Sequence, residues 1–489
     1  MSQSTLFLRD LLAADPDAAP VRAALAAALL AAGALEDAIA EASRALAVAP
    51  ALPDARLTRA EAYRRLGDPA AALGDLRHAA ALAPDRAAIC HALGIALAET
   101  DALPEAASAL RRAAALAPGD AAVAASLGSV LLRQGEFAPA EAATRAALRL
   151  DPGLAIAHRN LAALLEARDP PAAARHRDLG FAGRSLEIIA AAAPRRRVLV
   201  IAATGDGNIP LGHLLAPRHT TVLRWYVAYA GPDQDRALPA YDLILNAIGD
   251  ADRMPVLPAA AARLLAAPPR PLLNPPARVA RTARDALPAL LADIPGLLVP
   301  PTRRDAAVPL PALLRPIGAH GGQGVRLVHA EAELAAALTA GPAFATSAVD
   351  CRDSDGFWRK YRVIFVDRVP YAYHLAIAPR WLVHYWTAGM ETDPARRAEE
   401  ARFLADPRAV LGARAWAALE AVGARLDLDF AGIDFGRLAD GTLVLFEANA
   451  TMLVHPETAP SFAYRNPAVA RILAAFERML AVRSSPPAS

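Results

Sequence analysis

Small and bulky apolar positions recur every 34 residues over roughly residues 15–175. Small side chains stand at Ala26, Ala60, Gly94, Gly128 and Ala162, and bulky ones three places later at Leu29, Tyr63, Leu97, Leu131 and Leu165. Alanine returns at 38, 72, 106, 140 and 174, and again at 45, 79, 113 and 147, while proline falls at 16, 50, 84, 118 and 152. The pattern predicts stacked pairs of antiparallel helices. Small residues let two helices cross closely, the bulky one fills the gap beside them, and proline stops the second helix where the next pair begins. Gly33, Gly67 and Gly135 mark the turn inside a pair, where an open backbone torsion is needed; Asp101 takes that place in the third pair.

These positions resemble the tetratricopeptide repeat, with its small, bulky, alanine, alanine and proline sites at one fixed period. The resemblance implies a solenoid with a concave face that binds a peptide or protein. Glu61, Arg64, Arg65, His91, Glu99, Arg133 and Arg159 are expected to line it among many alanines. Such a face suits an acidic or C-terminal peptide; the alternative is a solvated surface with no fixed partner.

After RDPPAAARHRD, rich in proline and charge, and a helix expected near Ser185–Ala193, the pattern changes. VLVIAA is a continuous apolar run of the kind buried on both faces of a parallel sheet, and TTVLRWYVAY and YDLILNAIG follow it between loop and helix patterns. An open α/β sheet is predicted. In GDGNIPLGH, Gly207 and Gly212 have phosphate-loop spacing, but His213-Leu214 stands where Lys-Ser/Thr is needed. As a loop at the C-terminal end of a strand it still makes Asp206 and Asn208 candidates for ligand contact.

Three stretches of the last third carry chemistry. In PALLRPIGAHGGQGVRLV an apolar run ends in Arg315, then come Gly321, Gly322 and Gly324, then a second apolar run. Strand, glycine turn and strand form a hairpin whose backbone N–H groups can close over phosphates. FWRKYRVIFV alternates as a strand, so Lys360 and Arg362, two apart, point to one face. FAGIDFGRLADGTLVLFEANATM ends one strand at Asp434, turns at Asp440-Gly441, and returns Glu447 and Asn449 beside it on one face. Two carboxylates and an amide are the hard oxygen donors that magnesium prefers when it bridges nucleotide phosphates.

Residues from about 196 to 480 resemble the ATP-grasp superfamily with its preceding α/β domain, in the carboxylate-amine ligase branch that includes ribosomal-protein glutamate ligases and D-alanine ligases. The resemblance implies ATP between two α+β lobes and a carboxylate that attacks the γ-phosphate. An amine or amino acid then displaces phosphate from the acyl phosphate. On that reading Arg284 and Arg315 face the nucleotide phosphates under the loop of Gly321, Gly322 and Gly324, and Arg362 stabilises the transferring phosphoryl group. Asp434, Glu447 and Asn449 hold Mg2+ or Mn2+, and Ala345–Asp350, with Ser347 and Asp350, is the linker that pairs with adenine. The family usually has lysine where Arg284 and Arg315 stand, and glutamate where Ser347 stands; arginine carries the charge on a wider fork. Two other readings stay open: a non-catalytic scaffold that only binds nucleotide, and a phosphotransferase acting on an alcohol.

Composition narrows this picture. Of 52 Lys and Arg residues only Lys360 is lysine, which fits a compact ammonium beside a transferring phosphate. A net charge of +2 with no long basic block gives no nucleic-acid footprint. The 55% hydrophobic content is swollen by alanine, and the longest uncharged run, Leu334–Val349, is too short to span a bilayer and is broken by Gly341-Pro342. With no apolar leader, and with two cysteines, Cys90 and Cys351, that frame no disulfide or metal set, a cytoplasmic protein is expected. DFG at Asp434–Gly436 lacks the other protein-kinase motifs. His374, His384 and His455 fall in or beside the expected site without metal-like spacing. The expected organisation is multidomain: an all-α tetratricopeptide-type solenoid (1–185), a pre-ATP-grasp α/β domain (195–300), an α+β ATP-grasp domain (301–482) and a disordered tail (483–489).

Overall fold

The computed structural model describes residues 3–205, 207–216, 218–253, 256–317, 324–384 and 388–485. The chain divides into two compact units, Met1–Arg196 with Ala216–Val222, and Arg197–Leu215 with Leu223–Ser489.

The first unit is a helical repeat array of eleven helices, from Gln3–Ala14 to Pro170–Phe181. The spacing read from the sequence is realised in its turns and crossings. Gly33, Gly67 and Gly135 have φ of +79°, +76° and +77°, and Asp101 has +61°; this left-handed torsion closes each pair. A Cβ on Gly128 would come within 2.5 Å of Thr144 Oγ1, so only glycine lets these helices cross. Ala38, Ala72, Ala106 and Ala140 are fully buried, as are Ala45, Ala79, Ala113 and Ala147. The last pair departs from the period. Its second helix begins at Pro170, one place early, so Ala173 is buried and Ala174 faces out.

A strand, β1 (Leu186–Ile189), stands where a helix was expected near 185–193; the β-branched pair Ile188-Ile189 favours the extended form. β2 (Arg196–Ala202) and β3 (Thr220–Tyr226) follow; in the second unit β2 pairs in parallel with β4 (Leu243–Asn246), and β4 with β5 (Leu272–Leu273). Val198, Leu199, Leu243 and Leu245 have no exposed surface, as the unbroken apolar runs require.

Next come β6 (Leu297–Leu298), β7 (Thr302–Arg304), β8 (Ala312–Pro316), β9 (Arg326–Val328) and β10 (Ala343–Ser347). The last four form an antiparallel sheet in the order β7–β10–β8–β9, and Leu334 of helix Glu331–Ala340 packs on its Ala312, Leu314 and Val328. β11 (Trp358–Val366), β12 (Val369–Ala378), β13 (Phe430–Arg437) and β14 (Leu443–Asn449) build a third sheet, ordered β12–β11–β13–β14–β6. Its pairs are antiparallel except β14–β6. Phe403, Phe430, Phe435 and Phe476 fill the core between this sheet and its helices.

Residues 223–300 lie in one compact unit with 301–482, and β6 supplies an edge strand to the third sheet. Asn274 ties them again: its amide donates to Phe430 O at 2.8 Å and accepts from the N–H groups of Asp429 and Phe430 at 2.8 and 2.9 Å. The final helix, Asn466–Ser484, includes Arg483 and Ser484, where a disordered tail was expected; residues 486–489 lie outside the described residues. Among the described residues no helix is long and apolar enough to cross a membrane.

Candidate functional site

Strand pairing brings distant residues together. Arg362 on β11 stands opposite Asp434 on β13, and Asp434 stands opposite Glu447 on β14. Asp434 lies in the middle of β13 rather than at its end. Alternation puts Lys360 on the same face as Arg362, and both reach one carboxylate. Arg362 Nε and Nη2 donate to the two oxygens of Asp434 at 2.6 and 2.8 Å, and Lys360 Nζ is 3.2 Å from Oδ2. Burial alone would raise the Asp434 carboxyl; Arg362 and Lys360 outweigh it and hold the group far below the ordinary carboxylate range. Glu447 is likewise pulled down against burial, chiefly by Arg284, whose Nη2 lies 3.2 Å from Oε1. Arg284 also reaches Asp252 at 3.3 Å, a residue of the loop after β4 that the sequence reading did not single out.

Two β-bulges shape the wall. The β11–β12 register shifts so that Arg362 faces His374 while Val363 faces Ala372, leaving Tyr373 as the extra residue. The β13–β14 register does the same at Phe446, between Glu447 opposite Asp434 and Leu445 opposite Phe435. A bulge re-aims side chains that strict alternation would send to the other face. Accordingly Tyr373 and His374 both line one cavity, as do Phe446 and Glu447.

That cavity holds about 590 Å³ and gathers Arg284, Arg315, Lys360, Arg362, Asp434 and Glu447. Arg315, on β8, differs from the other cations: among the described residues no carboxylate lies within ion-pair distance of it. Burial, then the neighbouring charge of Arg284, lowers its pKa from the usual guanidinium value. His374 and His384 also line the cavity and are lowered from the ordinary imidazole value, by burial first and then by the cations Arg362 and Lys360.

The other sequence-derived residues have distinct settings. Asn449 Nδ2 donates to Glu447 Oε1 at 2.5 Å, while its Oδ1 accepts from Thr451 N–H and hydroxyl at 2.9 and 3.0 Å. Its oxygen is turned to Thr451, so in this arrangement Asn449 orients Glu447. Ser347 and Asp350 line the cavity. The Ser347 amide donates to Pro301 O and its hydroxyl to Pro309 O, both at 3.0 Å, and Asp350 accepts from Arg352 N–H at 2.9 Å. Gly324 has φ +66° at the β9 end of the β8–β9 hairpin. Gly321, Gly322 and Asp206 lie outside the described residues. Asn208 bonds Ala203 and Gly205 within its own loop.

A divalent cation fits part of this donor set. Asp434 is buried and Glu447 half-buried, the two are register-paired on adjacent strands, and both are held ionised; the oxygen of Asn449 is engaged elsewhere. Among the described residues no group of three or more His, Cys, Asp or Glu side chains is arranged to hold a metal ion. Any metal here would take one or two carboxylates and complete its shell with ligand oxygens, the habit of magnesium.

The array has its own hollow of about 400 Å³, lined by Glu61, Arg64, His91 and Asp120 among apolar residues. Its charges are largely paired with one another: Arg64 with Glu61 and Glu99 at 2.8 and 2.7 Å, and Arg65 with Glu61 at 2.9 Å. His91 Nε2 lies 3.0 Å from Ser126 Oγ. Arg133 donates to Ala98 O at 2.8 Å, and Arg159 sits over the Phe181 ring.

No protein-family model matches the chain, and no curated protein matches it. Solved structures with some likeness include Pseudomonas aeruginosa pilF, 26% identical over 34% of this chain and 77% of that one, with a TM-score of 0.32. YrrB, described as a TPR protein with an unusual peptide-binding site, is 21% identical over 36% and 90% of the two chains, TM-score 0.32. MamA is 23% identical over 32% and 92%, TM-score 0.30.

Proposed function

We propose that the second unit binds ATP with a divalent metal in the 590 Å³ cavity and joins a carboxylate to an amine through an acyl phosphate. The helical array, of tetratricopeptide type, recruits the peptide or protein on which it acts. The observation that carries this reading is Arg315, a cation on the cavity wall with no carboxylate partner among the described residues, beside Arg284 and the Glu447–Asp434 pair. A partly buried guanidinium without a counter-charge is costly unless an anion joins it, and phosphate is the anion a planar fork fits best.

Arg284 and Arg315 hold the nucleotide phosphates. Lys360 and Arg362, in reach of Asp434, stabilise the oxygens of the phosphoryl group as charge spreads over them, the dominant task in this chemistry. Asp434 and Glu447 hold the metal, which when bound neutralises phosphate charge and orients the γ-phosphate. Burial, helped by nearby cations, keeps His374 and His384 neutral, able to accept a proton.

The test is product analysis by mass spectrometry after incubating the full chain with ATP, Mg2+ and candidate peptides, with ADP release followed in parallel. A mass gain of one amino acid less water, with ADP formed in step, supports the ligase. A stable phosphate ester would replace it with a phosphotransferase, and nucleotide binding with neither product would leave a scaffold.

A further inference from the structure

One polar side chain on the cavity wall has no part in the phosphoryl chemistry proposed above. Tyr373 is the extra residue of the β11–β12 bulge, so it lines the cavity together with its neighbour His374, where strict alternation would send one of them to the other face. It is only 7% exposed. Its ring lies 5.4 Å from that of His374, centroid to centroid, and its hydroxyl oxygen accepts from His455 N–H at 3.3 Å. That contact uses the oxygen as an acceptor only. The hydroxyl proton has no acceptor among the described residues. A buried phenol O–H normally finds a partner, and the cavity that Tyr373 lines is where a ligand can supply one. Burial, opposed by the His455 bond and by Arg362, pushes the phenol up to about 12, so at neutral pH it is a donor. An ammonium has no lone pair to offer it; a carbonyl or carboxylate oxygen has.

The place of Tyr373 in the ladder indicates which oxygen. It adjoins His374, which faces Arg362 across β11–β12, and Arg362 is one of the two cations assigned to the transferring phosphoryl group. In an acyl phosphate that group is bonded to a carboxyl oxygen, and the carbonyl oxygen sits on the same carbon. We propose that Tyr373 is a catalytic residue of the amide-forming step, its O–H donating to the carbonyl oxygen of the acyl phosphate; the inference rests on the ligase reading above. In the first step a carboxylate oxygen bonds the γ-phosphorus, and the bond from that phosphorus to the bridging oxygen breaks with its electron pair leaving on ADP. In the second the amine nitrogen bonds the carboxyl carbon, and a C=O electron pair moves onto the oxygen that Tyr373 holds. That pair returns as the bond from carbon to the phosphate oxygen breaks, and phosphate leaves with the electrons of that bond. The proton lost by the amine goes to a neutral imidazole of the same wall, His374 or His384. Tyr373 keeps its own proton throughout. A hydrogen bond that strengthens as charge gathers on the oxygen favours the transition state over the ground state.

Calorimetric titration of the full chain with ADP and Mg2+ present tests this with two probes of equal length, acetonylphosphonate and propylphosphonate. Each offers a phosphonate to the γ-phosphate position, its methylene blocks transfer, and only the first carries the carbonyl oxygen. The wild type should bind acetonylphosphonate about 3- to 10-fold more tightly, the worth of a neutral hydrogen bond. Tyr373→Phe keeps the ring and should erase that preference, with propylphosphonate affinity, ADP affinity and the unfolding midpoint unchanged. A purely structural Tyr373 would shift both probes together and leave their ratio alone. Equal affinities in the wild type, no binding of either phosphonate, or a preference kept in Tyr373→Phe would each overturn the assignment. Failure of the wild type to bind ADP would instead strike the nucleotide reading, and the two phosphonates titrated without nucleotide still report on Tyr373.

Discussion

Arg362 and Asp434 face each other across the β11–β13 ladder and are joined by two hydrogen bonds of 2.6 and 2.8 Å, with the Asp434 side chain only 5% exposed. Two-pronged pairing of ionised groups fixes geometry as well as charge. It holds Asp434 ionised before any ligand arrives.

Breaking this pair from one side should be far worse than removing it whole. Arg362→Met leaves a buried carboxylate with only Lys360 near it, and should destabilise the second unit by about 3–5 kcal/mol. The double variant Arg362→Met with Asp434→Leu removes both charges and should recover most of that loss. Urea unfolding of both variants checks the order; equal stability of the two would show that Lys360 suffices as partner.

Arg315 should behave in the opposite way. Having no carboxylate partner among the described residues and lying on the cavity wall, it destabilises the ligand-free chain. Arg315→Met keeps the aliphatic packing and drops the charge, so it should raise or preserve the thermal midpoint without nucleotide. It should also weaken ADP binding by about 10- to 100-fold, the loss of a charge-assisted contact. A lower midpoint with unchanged ADP affinity would refute the role given to Arg315.

The parts of this chain legible in its sequence are those fixed by short-range geometry. A helix pair must cross, turn and stop at set intervals, so Gly67, Ala72 and Pro84 announce themselves. Two-residue alternation likewise puts Lys360 with Arg362 and Glu447 with Asn449. What stayed hidden depends on long-range register. The bulges at Tyr373 and Phe446 arise only when β12 meets β11 and β14 meets β13, and no local pattern marks them. Arg465 ends a short 3-10 helix, Pro460–Arg465, and its buried pairing with Glu400 on a distant helix leaves no mark in the local sequence. Spacing marks Asn449 as an oxygen donor beside Glu447, and only the structure adds that Thr451 N–H and hydroxyl donate to that oxygen.

The array should lose stability in mild acid through His91. Burial disfavours its imidazolium and lowers its pKa from the ordinary value, with Asp120 opposing in part. The unfolded chain then takes up a proton at higher pH than the folded one. The stability tied to neutral His91 is complete above the unfolded pKa of about 6.5 and is lost as pH falls through the folded value. His91→Gln can keep a contact with Ser126 but does not titrate. Its unfolding midpoint, followed by the helical far-UV signal, should fall less than the wild type's between about pH 7 and about pH 5.

Gly423 offers a sharper test of how the site strands are held. It lies in helix Ala413–Leu426, and a Cβ there would come 2.1 Å from the carbonyl oxygen of Arg368 and 2.8 Å from the Phe365 ring. Arg368 is in the turn of the β11–β12 hairpin, the element that carries Lys360, Arg362 and Tyr373. Alanine is the better helix former by about 1 kcal/mol, so helix propensity alone predicts that Gly423→Ala stabilises. The backbone contact predicts the reverse, because a carbonyl in a tight turn cannot rotate away as a side chain can. Overpacking of this kind costs about 1–3 kcal/mol, and relief requires the hairpin to lift from the helix. Gly423→Ala should therefore lower the unfolding midpoint and also weaken ADP binding, through displacement of Lys360 and Arg362. A variant as stable as the wild type would mean that the helix and hairpin are not packed this closely.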